Sequence, residues 1–269
     1  MSITLKNSIS SIAIGSFDGI HKGHRELISQ VDAVVVIERN GGYLTPGYKR
    51  TEALESIVFF YHFEHIKSLS ARAFVERLCE DFPQLQTIVV GYDFGFGYKK
   101  EGDVTLLKEL FHGEVVVVDE VKEDGISIHT RTIKGYIEEG DMRMTHKLLG
   151  RYFTIEGEVI SGQGLGKKEL VATLNLKVHD YLLPKGGVYA TETKIKGEWL
   201  ASLTFLGHRL TTDGSYAIES HIVGEDIGDV RGSVSIRLLA FMRDNRKFKG
   251  LEALKLQIEE DISKRILLD

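Results

Sequence analysis

The chain has 269 residues, 42% apolar and 27% charged, an ordinary globular balance long enough for one or two domains. Its formal net charge of −5, with no basic run, argues against a nucleic-acid partner held by phosphate neutralisation. The single cysteine, Cys79, excludes an internal disulfide framework and suits a reducing, cytoplasmic setting, and no apolar run approaches the ~20 residues of a membrane span.

The N-terminus lacks a signal-peptide apolar region. Ile12-Ala13-Ile14 reads as a short buried strand, followed by Gly15-Ser16-Phe17-Asp18-Gly19-Ile20-His21-Lys22-Gly23-His24. Beyond it, Arg25–Val31 has helical apolar spacing and no breaker, so the segment is a strand-to-helix turn. Glycines let the backbone approach a ligand and adopt positive φ. The helix start turns free N–H groups and a positive dipole end toward whatever sits there. His21 and His24 share one helical face. Together these make a site for a chain of phosphates; a glycine-rich turn with two surface histidines is the plainer alternative.

Ala33–Ile37 is the next strand. Thr51–Phe60 is expected to be a helix capped by Thr51, with Leu54, Ile57 and Val58 on one face. His62-Phe63-Glu64-His65 reads as a loop or helix end, since no further ligand cluster accompanies it. Ser70–Cys79 is a second helix with Ser70 as cap and Cys79 as a buried core thiol. Thr87–Val90 is a strand, Val104–Phe111 a helix, and Val115–Val118 a strand; Thr132–Ile137 and Met142–Leu149 are helical. Such alternation predicts a parallel sheet covered on both faces, with ligands beyond the carboxyl ends of its strands. One such end carries Gly91-Tyr92-Asp93-Phe94-Gly95-Phe96-Gly97-Tyr98. Its flat faces either receive a planar ring or pack on the domain.

Past Gly150 the pattern changes to short strands. Phe153–Ile160, Val188–Lys194, Trp199–Leu206, Tyr216–Val223 and Gly232–Leu239 predict an antiparallel barrel or sandwich. Leu251–Ile262 has the spacing of an amphipathic helix. The expected division is therefore 1–150 and 151–269. Ser161-Gly162-Gln163-Gly164-Leu165-Gly166-Lys167-Lys168 is a second candidate phosphate cradle. It runs into Ala172-Thr173-Leu174-Asn175-Leu176, for which an alternating strand with polar residues facing water is the plainer alternative.

Phe17-Asp18-Gly19-Ile20-His21-Lys22-Gly23-His24 resembles the HxGH motif of nucleotidyltransferases in the longer FDGxHxGH form of bacterial FAD synthetases. Gly91–Gly97 resembles their GxDFxFG segment. His129-Thr130-Arg131-Thr132-Ile133-Lys134 lies where the family has SSTxIR, with Thr130 for a serine and Lys134 for the arginine. Ala172–Asn175 is similar to the PTAN motif of bacterial riboflavin kinases, keeping Thr173 and Asn175. Pro184–Ala190 resembles their PxxGVYA stretch, Gly207-His208-Arg209 their NIGxRPT loop, Tyr216–His221 a strand bearing the general base, and Arg246–Leu254 the RKFxxLEAL signature.

The chain as a whole resembles the bifunctional riboflavin kinase/FMN adenylyltransferases. The resemblance implies a Rossmann-like nucleotidyltransferase domain, then a small β-barrel kinase domain with a C-terminal helix. It implies ATP, riboflavin and FMN as substrates and Mg²⁺ as cofactor. Glu219, His21 and His24 would be catalytic, and Thr173 and Asn175 metal-binding. Gly15, Phe17, Asp18, Gly19, Gly23, Thr130, Arg131, Lys134, Gly162, Gly164, Gly166 and Lys167 would hold nucleotide. Asp93, Phe94, Phe96, Gly187, Tyr189 and Arg246 would hold flavin. The rival readings are a nucleotidyltransferase for another phosphorylated acceptor and a flavin-binding regulatory or storage protein.

Overall fold

The computed structural model describes residues 6–39, 41–54, 56–160, 173–210, 214–225 and 227–267. They fall into two units, Met1–Thr132 and Ile133–Asp269.

The first unit is built on five parallel strands: β1 (Ser11–Gly15), β2 (Ala33–Glu38), β3 (Ile57–His62), β4 (Thr87–Gly91) and β5 (Glu114–Val118), in the order β3-β2-β1-β4-β5. Helices α1 (Lys22–Ile28), α2 (Lys49–Ala53), α3 (Phe63–Ile66), α4 (Ala71–Asp81) and α5 (Val104–Leu110) connect them, and a two-residue hairpin, β6 (Lys122–Glu123) with β7 (Ile126–Ser127), follows β5. Alternate residues of β1 feed opposite cores. Ile12 and Ile14 join Val35, Phe74, Leu78 and Ile88 on one face, while Ala13 joins Val34, Val36, Val89, Phe17 and Leu27 on the other. Burial on both faces explains why β1, β2 and β4 read as unbroken apolar runs. The chain winds from β1 to one side and returns at β4 to the other, so the direction switches at β1. The crevice that binds ligands in such sheets opens at the carboxyl ends of β1 and β4.

Two expectations fail here. The helix over Thr51–Phe60 is only the short α2, which begins before Thr51, so Tyr48 and not Thr51 stands at its cap and the Thr51 hydroxyl donates to the Tyr48 carbonyl; Ile57–His62 is an edge strand pairing with β2 in register. Leu54, Ile57 and Val58 fit a helical stripe, but the β-branched and aromatic run Ile57-Val58-Phe59-Phe60-Tyr61 prefers a pleated surface. Cys79 is exposed, because the α4 face that meets the core is Ala71, Phe74, Val75 and Leu78, one residue out of step with the thiol. Ser70 does cap α4, accepting from the Ala73 N–H at 3.2 Å.

The second unit begins within α6 (Thr130–Glu139) and continues through α7 (Met142–Leu149). A closed antiparallel barrel follows: β8 (Phe153–Ile160), β9 (Leu174–Val178), β10 (Gly187–Ile195), β11 (Glu198–His208), β12 (Tyr216–Ile222) and β13 (Ser233–Arg243), ordered β10-β11-β12-β9-β8-β13. The terminal helix α8 (Leu251–Ile266) is tied to β13, where Arg243 grips both oxygens of Asp261 at 2.9 and 3.1 Å from Nε. Inside the barrel five fully buried hydroxyls form one chain. Thr204 meets Thr191, Thr191 meets Ser202, Ser202 meets Thr193, and Thr193 meets Ser220, each at 2.8 or 2.9 Å. Each hydroxyl finds a partner within the chain, which offsets the cost of burying it. Among the described residues, no helix is long and apolar enough to cross a membrane.

Candidate functional site

The turn after β1 is held in an unusual backbone. Phe17, Gly19 and Ile20 have φ of 46°, 90° and 43°. For Phe17 and Ile20 this is a strained region that persists only where surroundings impose it. Asp18 supplies part of that constraint. Its buried Oδ1 accepts from the Leu44 and Thr45 N–H groups at 2.7 and 3.0 Å, and its carbonyl accepts from the Thr130 hydroxyl at 2.9 Å. The turn, the segment after β2 and the start of α6 are thus pinned together. His21 caps α1: its Nδ1 accepts from the His24 N–H at 3.2 Å, so a neutral ring carries its proton on Nε2. The two imidazoles stack with centroids 3.5 Å apart, and the Phe17 ring meets His24 edge-on at 5.2 Å. Gly23 leaves room for this, since a Cβ there would crowd the His21 ring at 3.3 Å and the Ile128 carbonyl at 3.4 Å.

His24 is half-buried, but its Nδ1 is shut from solvent and has no hydrogen-bond partner among the described residues. Burial above all, then the positive potentials of His21, Arg50 and His129, hold its pKa well below the usual histidine value. Arg50 is a residue that sequence reasoning passed over. Its side chain is fully buried, Nη1 donates to Glu38 Oε1 at 3.1 Å, and the guanidinium lies 4.6 Å over the Tyr43 ring. Its Nε and Nη2 have no hydrogen-bond partner among the described residues. Those Nε and Nη2 donors, on a fully buried guanidinium that acts on the neighbouring imidazole, make a setting suited to an anion.

A second constellation lies on the barrel. Asn175 of β9 faces Glu219 of β12 across the antiparallel ladder, and Arg209, just past β11, joins them. Its Nε and Nη2 donate to Glu219 Oε1 at 3.0 and 2.6 Å, and Nη2 also donates to Asn175 Oδ1 at 2.8 Å. Among the described residues, no group of three or more His, Cys, Asp or Glu side chains could hold a metal ion. Yet the amide oxygen of Asn175 and a carboxylate oxygen converge on one cationic nitrogen. The amide oxygen of Asn175, with the hydroxyl of Thr173 two residues before it, is a hard oxygen donor of the kind a divalent ion takes alongside nucleotide phosphates and water.

Comparison with known proteins bears on the two halves of the chain. The riboflavin kinase family profile matches residues 149–266, and the FAD synthetase profile matches 4–39 and 38–132. The chain is 30% identical over 281 residues to the bifunctional riboflavin kinase/FMN adenylyltransferase of Listeria monocytogenes, covering 93% of this chain and 89% of the relative. The chain belongs to this family. The Pseudomonas fluorescens member is 27% identical, with 93% and 90% covered. A Streptococcus pneumoniae crystal structure, described as a macrolide-efflux protein, superposes with a TM-score of 0.81 at 24% identity, covering 95% of each chain, a likeness of fold.

This member of the bifunctional family therefore carries both catalytic domains, and the remaining expected positions can be placed. Gly15 closes β1 against the Phe17 ring. Asp93 is exposed in the β4–α5 connection, whereas Phe96 is 4% exposed and packs with Phe94 and Phe74 in the core, so its ring serves the fold. Arg131 is exposed, and Lys134 falls in the second unit. Gly187 backs onto β13, where a Cβ would strike the Arg243 carbonyl at 2.5 Å. The Tyr189 hydroxyl donates to the Lys185 carbonyl at 2.6 Å, and burial pushes its pKa up. Arg246 donates to Gln257 and stacks on Phe248 at 4.9 Å. Thr173 precedes β9, while Gly162, Gly164, Gly166 and Lys167 lie outside the described residues.

Proposed function

We propose that this chain makes FAD from riboflavin in two ATP-dependent steps in the cytoplasm, with phosphorylation in residues 151–269 and adenylylation in residues 1–150. The observation that carries the reading is that one chain holds both a stacked imidazole pair at a strand-to-helix turn and a carboxylate–amide pair across barrel strands.

In the kinase step the terminal hydroxyl of riboflavin attacks the γ-phosphorus of ATP, a new O–P bond forms, and ADP leaves. An alcohol is a weak nucleophile, so Glu219 takes its proton as general base. Thr173 and Asn175 would hold Mg²⁺, which supplies charge neutralisation at the phosphates. The glycine–lysine segment of residues 161–168 is assigned to the same nucleotide.

In the adenylyl step an FMN phosphate oxygen attacks the α-phosphorus of a second ATP and pyrophosphate departs. The nucleophile is already an anion and needs no base. The turn must stabilise charge that builds on the α-phosphate and the leaving group. His21 offers Nε2–H, and His24, whose pKa is held down by burial first and then by its cationic neighbours, gains a proton more readily when anionic oxygens sit beside it. Gly19 and Gly23 allow the close approach, and Arg131 is assigned to the phosphates as a further cation. Asp93 and Phe94 are assigned to the FMN ring in this step, with Gly187, Tyr189 and Arg246 lining the riboflavin site of the kinase.

Incubation with riboflavin, Mg²⁺ and ATP, followed by chromatography of the flavins, tests the proposal. FMN followed by FAD is expected. Bound flavin without consumption of ATP overturns it in favour of a regulatory or storage role, and turnover only with another phosphorylated acceptor favours a different nucleotidyltransferase.

A further inference from the structure

We infer that Arg209 is a positioning residue of riboflavin phosphorylation, a clasp that sets the Glu219 carboxylate against Asn175 and leaves Glu219 Oε2 as the proton-accepting atom. This rests on the assignment of Glu219 as base.

All three guanidinium nitrogens are engaged. Nε and Nη2 converge on Glu219 Oε1, Nη2 reaches Asn175 Oδ1, and Nη1 donates to Ser215 Oγ at 2.8 Å. Both guanidinium contacts to the carboxylate fall on one oxygen, and among the described residues Oε2 accepts no hydrogen bond. The backbone behind the clasp is fixed as well. The Arg209 N–H donates to the Ser215 carbonyl at 2.9 Å, and the Gly214 N–H donates to the Arg209 carbonyl at 3.1 Å. Asn245 holds the preceding His208 carbonyl at 2.6 Å. The arginine is therefore anchored before it reaches across two strands.

A glutamate side chain about a quarter exposed has freedom to swing. A base that swings is misaligned most of the time, and misplacement by ~1 Å costs about a hundredfold in rate. The clasp removes that freedom and couples the base to the residue assigned to metal and phosphates. During the step the substrate O–P bond forms, the bond from the γ-phosphorus to ADP breaks, and the hydroxyl proton passes to Oε2. Arg209 exchanges no proton. Lysine could keep the charge but not span three acceptors with one nitrogen.

The test uses the full chain with Arg209→Lys and Arg209→Ala, assaying FMN formation and, as an internal control, FAD formation from supplied FMN. Both variants are expected to lose about a hundredfold in kcat for FMN formation. KM for riboflavin and ATP should stay within about threefold, and FAD formation should be unchanged. Methylguanidine should restore part of the loss in Arg209→Ala and none in Arg209→Lys. Normal kcat in Arg209→Lys, a loss confined to KM for ATP, or loss of both activities together would each overturn the clasp. Glu219→Gln separates the two readings. Full kinase turnover in that variant removes the base assignment itself, whereas a dead Glu219→Gln beside a normal Arg209→Lys removes only the role of Arg209.

Discussion

The two phosphate-handling constellations differ in what they supply, and the difference follows from the charge of the nucleophile. The turn after β1 offers enclosed imidazoles, a buried guanidinium and no catalytic carboxylate, since Asp18 is already spent on two backbone N–H groups. The barrel offers a partly solvated carboxylate held by an arginine fork. An anionic phosphate attacks unaided and would be repelled by a carboxylate, whereas an alcohol needs one. On the proposed assignment, the same substrate, ATP, meets imidazoles at one site and a carboxylate at the other.

The sharpest way to break this contrast is Glu219→Gln. FMN formation should fall by about 10²–10⁴-fold, the range for loss of a general base, while FAD formation from FMN persists. The mirror experiment is His24→Ala, expected to cost FAD formation about 10²–10³-fold and leave phosphorylation intact. If either variant impaired both reactions equally, the division of labour would be wrong.

Stability offers a smaller lever. Glu38→Ala strands the fully buried Arg50 without its ion-pair partner and should destabilise the first unit by about 2–4 kcal/mol, read by chemical denaturation. Saturating ATP should stabilise both chains by mass action, and should narrow the gap between them only if the guanidinium lies in reach of phosphate.

The smallest expected effect is on pH. A His24 pKa below the usual value means that the unfolded chain takes up a proton the folded unit resists. Stability from this source is complete above the ordinary histidine value of 6.5 and declines as pH falls through it toward the lower folded value. The melting point of the first unit should drop from about pH 8 to about pH 5 less steeply in His24→Gln than in the native chain. Equal slopes would show that the imidazole is not the group responsible.

How much of this was legible in the sequence depended on how far apart the interacting residues lie. The central strands β1, β2 and β4 announced themselves because burial leaves little but apolar side chains. Of the two edge strands, β5 was legible because Val115–Val118 is an unbroken β-branched run, whereas β3 was not, because Leu54, Ile57 and Val58 before and within it fall at helical spacing. The imidazole pair was visible because its members are three residues apart. The Asp18 clamp was not, since its partners lie 26 and 27 residues on. Arg209 stood inside a recognisable loop, yet its tie to Asn175 spans 34 residues and exists only once the barrel closes. Arg50 had no local mark at all, for a buried arginine reads like any charge at the start of a surface helix.

The hydroxyl chain inside the barrel bears on how the barrel assembles. Thr191 and Thr193 of β10, Ser202 and Thr204 of β11, and Ser220 of β12 satisfy one another only when all three strands are aligned. A slip of one residue between β10 and β11 would send one partner's hydroxyls to the outer face and abandon the others in a dry interior. The polar thread therefore acts as a proofreader of strand pairing, penalising misaligned barrels that greasy packing alone would tolerate.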